Sequence, residues 1–521
     1  MSPRPLYHLA KADFLERVRR YSFLVVLAGA VFLGYELAVG NLVLCLGKYR
    51  GIYNSAWVGM LAASWAALFL PLVGFYIVKN TIERDRQTRV GEVLAATPMS
   101  KMSYLLGKFL SNLAVLGAIL VVLLLSALAM QMIKGEERQV QPWPLIAPFL
   151  LIALPAVVVA AAAAVLLESV PITSAGFGNI LYFFAFIFLL TYGLDRHSHR
   201  LDLVGVLELE ESFTQSLRAQ VSDYDGGMSF TVKSDMPRGS KTFRWEGVRW
   251  TPRILQDRLT WFAIALLLVL LATVCFDRFD HAPGARARRR RPARAPADGG
   301  VSIAALNGHS AAHLTPIASR TPSGRFGAVL RAELKLMLKG QRWWWYLAAL
   351  GLLIAGLAAD LKSVREIVLP LTWLWPVLIW SAMGVRESRY QTGELIFSSA
   401  RSLSRQLPAI WVAGLMLAAL TGATVGLRFL LLGRWDLLLG WCTGALFIPS
   451  LALALGVIAG NARPFEATYL LAWYIGPING EPALNFMGTR GPAPGVLTTY
   501  LALALALFVV ALAARRWQMR R

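Results

Sequence analysis

The stretch ERDRQTRVGEVLAATPMSKMSYLLGKFL, residues 83–110, is a charged loop caught between two long apolar segments. Asp85 stands four residues before Arg89, the acid-first order that supports a helix running out of the preceding segment. Gly91 is expected to break that helix, and Glu92 to open a short amphipathic turn over Val93, Leu94, Ala95 and Ala96. Thr97-Pro98 then reads as a side-chain cap with proline at the first helical position, so a new helix is expected to start near Met99. The result is a short helix lying across the ends of two membrane spans, kinked away from them at both sides. Such an element can be pushed on from outside the bilayer.

A second copy stands at residues 386–402, RESRYQTGELIFSSARS. In one gapless register Arg84, Gly91, Glu92 and Ser100 recur as Arg386, Gly393, Glu394 and Ser402. Asp85/Glu387, Leu94/Ile396 and Thr97/Ser399 are close substitutes, and Ala400 replaces Pro98. Both copies fall at the same topological place in their half of the chain.

Hydrophobic residues make up 56% of 521 positions and lie in long, nearly uncharged blocks, the mark of a polytopic membrane protein. Three isolated cysteines (Cys45, Cys275, Cys442) exclude a disulfide framework and a thiolate metal site. Six histidines without an HExxH leave no metal site to assign. The net charge of +22 raises a nucleic-acid reading, but the basic residues gather in particular loops, as membrane topology demands.

Residues 1–20 read as an amphipathic interfacial helix, with Tyr7, Ala10, Phe14 and Val18 on one face and Lys11, Arg17, Arg19 and Arg20 around it. No small-residue cleavage site follows, so no signal peptide is read. Residues 325–342 repeat the arrangement through Phe326, Leu330, Leu334 and Met337. Spans are expected at 22–40, 56–78, 105–132, 144–167, 176–194 and 259–276. A second set follows at 343–359, 367–384, 408–427, 437–459, 465–478 and 496–514. The fold class is therefore all-α and polytopic, with about twelve transmembrane helices in two six-helix bundles, 21–276 and 343–521.

The loop 277–342 carries thirteen basic and four acidic residues, whereas 195–257 carries nine and ten, so the first is placed in the cytoplasm and the second outside. Both termini fall in the cytoplasm, across a cytoplasmic membrane of bacterial type. The stretch 277–324, rich in Ala, Arg, Pro and Gly, reads as a flexible linker. The loop 195–257, with Gly226-Gly227, Pro237 and the alternating Met228–Val232, reads as a small extracytoplasmic cap of hairpins.

With the interfacial helices, the charged loop and the six-span halves in hand, the chain resembles an ABC transporter permease of the ABC-2 (exporter) type. The loop is the closest echo: an acidic-basic run, Gly91-Glu92, then LAATPMSKMSYLLGK, similar to the family's ERE-x-G-T-x-E-x-LLATPLS pattern before a Gly-Lys. The resemblance covers most of the chain, more closely over 5–135 than over 325–520. It implies a coupling helix in this loop that docks into a groove of a separate ATP-hydrolysing subunit. By position that contact falls on Arg84, Asp85, Gly91, Glu92, Thr97, Pro98 and Ser100. In the second copy it falls on Arg386, Glu387, Gly393, Glu394 and Ser402. Two half-units imply two ATPase copies, with ATP and Mg bound there.

No GxxxxGK[ST] occurs in this chain: Gly107-Lys108 is followed by Phe109 and Gly47-Lys48 by Tyr49. No catalytic residue, cofactor or metal is assigned. Glu36, inside the outer part of the first span, lines a translocation path or makes a structural ion pair. Glu168, Arg463, Glu466 and Arg428 read as interface anchors at span ends, and YIGPINGEPALN (474–485) as a re-entrant or lid element. The expectation is an ATP-driven permease, an exporter, that contacts the lipid bilayer and no nucleic acid. The alternatives are a transporter driven by an ion gradient, which would place ionisable groups at mid-membrane, and a membrane-embedded transferase.

Overall fold

The computed structural model divides into two compact units, Met1–Phe279 and Asp280–Arg521. It describes residues 3–19, 21–39, 42–171, 173, 176–194, 200, 202–220, 228–232, 241–277, 279, 326–398, 402–491 and 494–520. Most of the expected linker (280–324), Gly226-Gly227, Pro237, and Ser399 to Arg401 of the second loop lie outside these residues.

The first unit opens with helices α1 (Pro3–Val18) and α2 (Tyr21–Val39) and a hairpin of β1 (Leu42–Leu46) and β2 (Tyr49–Gly51). Then come α3 (Ser55–Val78), the short α4 (Thr81–Gln87) and α5 (Val90–Ala95), and the 34-residue α6 (Lys101–Lys134). Helix α7 (Pro142–Pro148) continues through a π-turn, Phe149–Ala153, into α8 (Leu154–Ser169). The π-turn sits just before Pro155, which has no N–H to give to the carbonyl of Leu151. Helices α9 (Phe177–Leu194), α10 (Val206–Arg218) and α11 (Pro252–Cys275) complete the unit, with strands β3 (Met228–Val232) and β4 (Lys241–Phe243) between the last two. Helix α3 is buried on most of its circumference and packs on α6 and α8. Leucines and phenylalanines of α9 and α11 point outward instead, as lipid-facing side chains do.

The end of α3 opposite α4 carries a small cap. Its four strands run in the order β3-β1-β2-β4, with β1 antiparallel to β2 and β3, and β4 parallel to β2. The expected hairpins of the 195–257 loop are thus corrected: β3 and β4 do not pair with each other but flank the hairpin of residues 42–51. Residues 206–218 form an amphipathic helix that buries Leu209, Phe213 and Leu217. Trp57 packs against Phe213, Phe243 and Trp245, at ring-centroid distances of 5.1, 5.7 and 6.1 Å. Asn54 caps α3 by accepting from the Trp57 N–H and donates to the Trp245 carbonyl at 2.8 Å. The same ends of α3 and α6 are tied by Gln131, which donates to the Ser55 hydroxyl at 2.7 Å, and by the Arg50–Glu136 pair at 2.7 Å.

The second unit starts with α12 (Phe326–Leu338) and α13 (Trp343–Ala358), followed by a run of short helical pieces over residues 361–380. Next are α14 (Arg386–Tyr390), α15 (Gly393–Phe397), α16 (Ser402–Thr421), α17 (Ala423–Leu431), α18 (Trp435–Ala459) and α19 (Arg463–Trp473). A π-turn at Tyr474–Ile478, a 3₁₀ turn at Pro482–Leu484 and α20 (Pro494–Gln518) close the unit. Helix α18 is its centre, packed on α16 and α20. Gly440 lets the Met487 carbonyl approach so closely that a Cβ there would stand 2.5 Å from it. Arg428 of α17 is no simple anchor: its guanidinium donates to the carbonyls of Gly356, Leu357 and Ala359 and so satisfies the C-terminal end of α13. In the 474–485 stretch the backbone turns back on the unit, held by the Thr489 hydroxyl donating to the Pro477 carbonyl at 2.8 Å.

Among the described residues seven helical stretches are long and apolar enough to cross a bilayer: Ser55–Gln87, Lys101–Ile133, Pro142–Ser169, Pro252–Cys275, Ser402–Thr421, Trp435–Ala459 and Gly495–Gln518. Three shorter apolar helices, Val26–Leu37, Phe177–Tyr192 and Trp343–Ala358, stand where spans were expected. The chain is an all-α polytopic membrane protein. The expected spans 367–384 and 465–478 are interrupted: the first breaks at Trp375-Pro376, the second gives way to the π-turn around Pro477.

Candidate functional site

The charged loop of the first unit is built by two left-handed residues. Asn80 (φ 78°) ends the run of α3 and Arg89 (φ 58°) separates α4 from α5. A positive φ costs a non-glycine residue energy and persists only where its surroundings hold it. Glu168, at the end of α8, supplies one such restraint. Its carboxylate, 2% exposed, accepts from the backbone N–H of Asn80, of Thr81 at 3.3 Å and of Ile82 at 2.8 Å, and from the Thr81 hydroxyl at 3.3 Å. It caps α4 from a neighbouring helix, where the N-terminal N–H groups and the helix dipole favour a negative charge. Glu168 is therefore not an interface anchor.

Several local expectations are corrected. The helix break falls at Arg89, and Gly91 lies inside α5 with the Phe279 ring so close that a Cβ would meet it at 2.5 Å. Thr97 does not open the next helix but closes α5, its hydroxyl donating to the Leu94 carbonyl at 2.7 Å. Helix α6 starts at Lys101, not near Met99, and its cap is Ser100, whose hydroxyl accepts from the Ser103 N–H at 3.1 Å. Pro98 stands in the connection and not at a helical first position. Asp85 turns away from Arg89, into the protein.

There it joins a closed ring of alternating charges. Arg84 pairs with Asp13 of α1 at 2.9 Å, Asp13 with Lys108 of α6 at 2.6 Å, and Lys108 with Asp85 at 2.7 Å. Asp85 returns to Arg84 at 3.4 Å. Lys108 is fully buried and Asp13 and Asp85 nearly so. The Tyr104 hydroxyl donates to Asp85 at 2.8 Å, Glu16 adds a second α1 carboxylate on Arg84, and Arg17 donates to Asn112 at 2.7 Å. Helix α1 thus docks through Asp13 and Arg17, while Tyr7, on the apolar face read for the interfacial helix, is 57% exposed.

The second unit repeats the turn and not the ring. Gln391 (φ 53°) separates α14 from α15 in the register of Arg89. Glu333 of α12 accepts from Arg386 at 3.3 Å and from the Gln406 amide. Glu387 pairs at 3.4 Å with Arg515 of α20, which also donates to the Gly384 carbonyl at 3.0 Å. Burial pushes the Glu333 carboxyl above the usual carboxylate range, with Arg386 opposing. Ser402 opens α16, its hydroxyl donating to the Phe397 carbonyl at 3.1 Å.

Beyond each left-handed turn the loop offers a tip to solvent. Glu92 and Glu394 are exposed in matching register, and the next residue of each is apolar and exposed, Val93 at 68% and Leu395 at 78%. Two buried acid–base pairs thus hold a short helix whose outer face is left open. Glu36 sits half-buried on α2. A groove of about 350 Å³ between α2, α3 and α6 is walled by Leu37, Val58, Leu61 and other apolar residues, and Glu36 does not line it.

A search of curated proteins finds no match to the chain. Residues 41–206 match the family model described as ABC-2 family transporter protein, a segment that runs from β1 to the start of α10 and contains α4, α5, Lys108 and Glu168. That match lies within the first unit and makes residues 41–206 similar to ABC-2 family transporter proteins, on a chain whose helices are those of a polytopic membrane protein.

Proposed function

We propose that α4–α5 and α14–α15 are coupling elements through which a separate ATPase subunit drives export. The observation that carries this reading is the repeated tip. In each unit a left-handed residue follows a half-buried arginine paired with a buried acid, and the turn presents a Glu with an apolar neighbour to solvent. Buried charge on one side makes the element stiff and fixes its direction. An exposed apolar residue beside an acid on the other suits an apolar groove with a basic rim.

Two such tips imply two ATPase copies, which carry ATP and Mg. The tips, both termini and the basic residues around α12 lie in the cytoplasm of a bacterial-type membrane, by the excess of Lys and Arg there. ATP-driven closure of the ATPases presses the tips toward the bilayer, and each unit responds through the helices joined to its charged pairs.

The test is purification in mild detergent and assay of ATP hydrolysis in the complex. The parent chain is expected to retain an ATPase, and Glu92→Arg with Glu394→Arg to shed it while the chain still inserts and runs as one species. If the parent never retains an ATPase, and the charge-reversed chain behaves like it, the coupling reading fails and transport driven by an ion gradient becomes the reading to pursue.

A further inference from the structure

We infer that Asp13 and Lys108 are positioning residues that lock the interfacial helix α1 to the coupling element, so that α1, α4 and the foot of α6 move as one body. The inference rests on the coupling reading and adds to it the helix that follows the tip.

A buried lysine between two carboxylates is a costly arrangement for mere adhesion, because the desolvation of three charges offsets much of their attraction. What it gives is direction. Each charge of the ring has its partner on another helix: Asp13 on α1, Arg84 and Asp85 on α4, Lys108 on α6. A shift of α4 by a few ångströms against either neighbour would separate buried opposite charges, whereas a joint shift of all three helices keeps every pair.

Helix α1 turns Asp13 and Arg17 inward, packs Leu9 against Gly107 and leaves Leu6, Ala10, Phe14 and Val18 half-buried, while Tyr7 and Leu15 face outward. Among its described residues the buried side chains are the charged Asp13 and Arg17, so the ring fixes where the helix sits, and opening it leaves half-buried apolar contacts along which the helix can drift.

The test places spin labels on exposed positions, Lys11→Cys on α1 and Thr88→Cys beside α4, in a chain whose Cys45, Cys275 and Cys442 are replaced. In the chain alone, in lipid nanodiscs, the label distance is expected to be narrowly distributed in the parent and in Lys108→Arg. It is expected to broaden several-fold in Lys108→Met and in the milder Asp13→Asn, which leaves Lys108 paired with Asp85. A distribution as narrow in both neutralised variants as in the parent overturns the inference, and this arm needs no ATPase.

In the complex with its ATPase, ATP with vanadate is expected to leave the parent distance unchanged while a reference distance from Thr88→Cys to Phe177→Cys shifts. A parent α1 distance that shifts with the reference overturns the inference with the coupling reading intact. If the reference never shifts, the coupling reading fails, and the broadening in the chain alone still decides whether the ring locks α1.

Discussion

The two units solve one problem with different chemistry. In the first, α1, α4 and α6 meet in a four-membered ring closed by Lys108. In the second, the position in register with Lys108 is Ile410, and no ring closes among the described residues. Glu333 reaches Arg386, and Glu387 takes its cation from Arg515, at the far end of the unit's sequence. The difference teaches that the shape of the tip, set by Arg89 and Gln391, is separable from the helices tied to it. The first tip is tied by ion pairs to α1 and α6, the second to α12 and α20.

The largest expected contrast is between the cations. Lys108→Met strips one partner from two buried carboxylates and is expected to cost about 3–5 kcal/mol, the usual consequence of breaking a buried ionic set. Arg515→Met loses one carboxylate at 3.4 Å, one carbonyl, the Gln518 amide oxygen at 3.3 Å and a place over the Phe397 ring, and about 1.5–3 kcal/mol is expected. Denaturant unfolding in detergent, followed by tryptophan fluorescence, measures both. Equal costs would mean that ring closure adds nothing beyond its separate pairs.

Next come the glycines that the sequence aligned. Gly91→Ala forces a methyl group against the Phe279 ring and is expected to cost about 1–3 kcal/mol by overpacking. Gly393 has nothing within 4 Å of its would-be Cβ, and Gly393→Ala is expected to stabilise α15 by about 0.5–1 kcal/mol through helix propensity. The same unfolding assay reads both, and a Gly91→Ala as benign as its counterpart would show that the ring yields. A smaller effect is expected from Glu168→Ala, about 1–2 kcal/mol for a lost helix cap. Hydrogen exchange over Asn80 to Arg84 should show it locally.

The sequence made the parts legible and not their connections. Hydrophobic blocks located the helices at 22–40, 56–78, 144–167 and 176–194 within two residues, but placed the start of α11 seven residues late and missed the helix of residues 206–218, while the shared register of Arg84 and Arg386 led to both tips. The ring was hidden because Asp13, Arg84 and Lys108 are far apart in the chain, and spacing arguments reach only a turn or two. One signal was available: Lys108 is a lone charge inside the apolar run that follows Tyr104, where a charge needs a partner. Helix α1 was read as an interfacial helix with Tyr7, Ala10, Phe14 and Val18 on one face; the structure leaves Tyr7 exposed, as suits a lipid contact, and turns the charged Asp13 and Arg17 to the protein. The strands at 42–51, between the spans read at 22–40 and 56–78, escaped because five apolar residues carry no strand signal of their own, and only their pairing with Met228–Val232 distinguishes them.

The smallest expected effect separates the units by pH. Glu333 lies against one guanidinium, that of Arg386, with the Gln406 amide beside it and the Glu387 carboxylate opposing its charge. Burial raises its folded-state pKa above the ordinary carboxylate value, so the folded unit holds its proton more tightly than the unfolded chain does. The linkage sign follows: this contribution is fully present below the unfolded pKa and is lost as pH rises through the folded one. Acidification from neutral pH should therefore tighten α12 on its unit. Hydrogen exchange of Phe326–Leu338 is expected to slow as pH falls through the carboxylate range, after correction for intrinsic exchange rates, and Glu333→Gln should remove the dependence. Exchange that quickens on acidification would mean that the pair with Arg386 outweighs burial. The single contact at 3.3 Å would then hold its helix as the ring holds α1, and the contrast between the units would shrink to the identity of the cation.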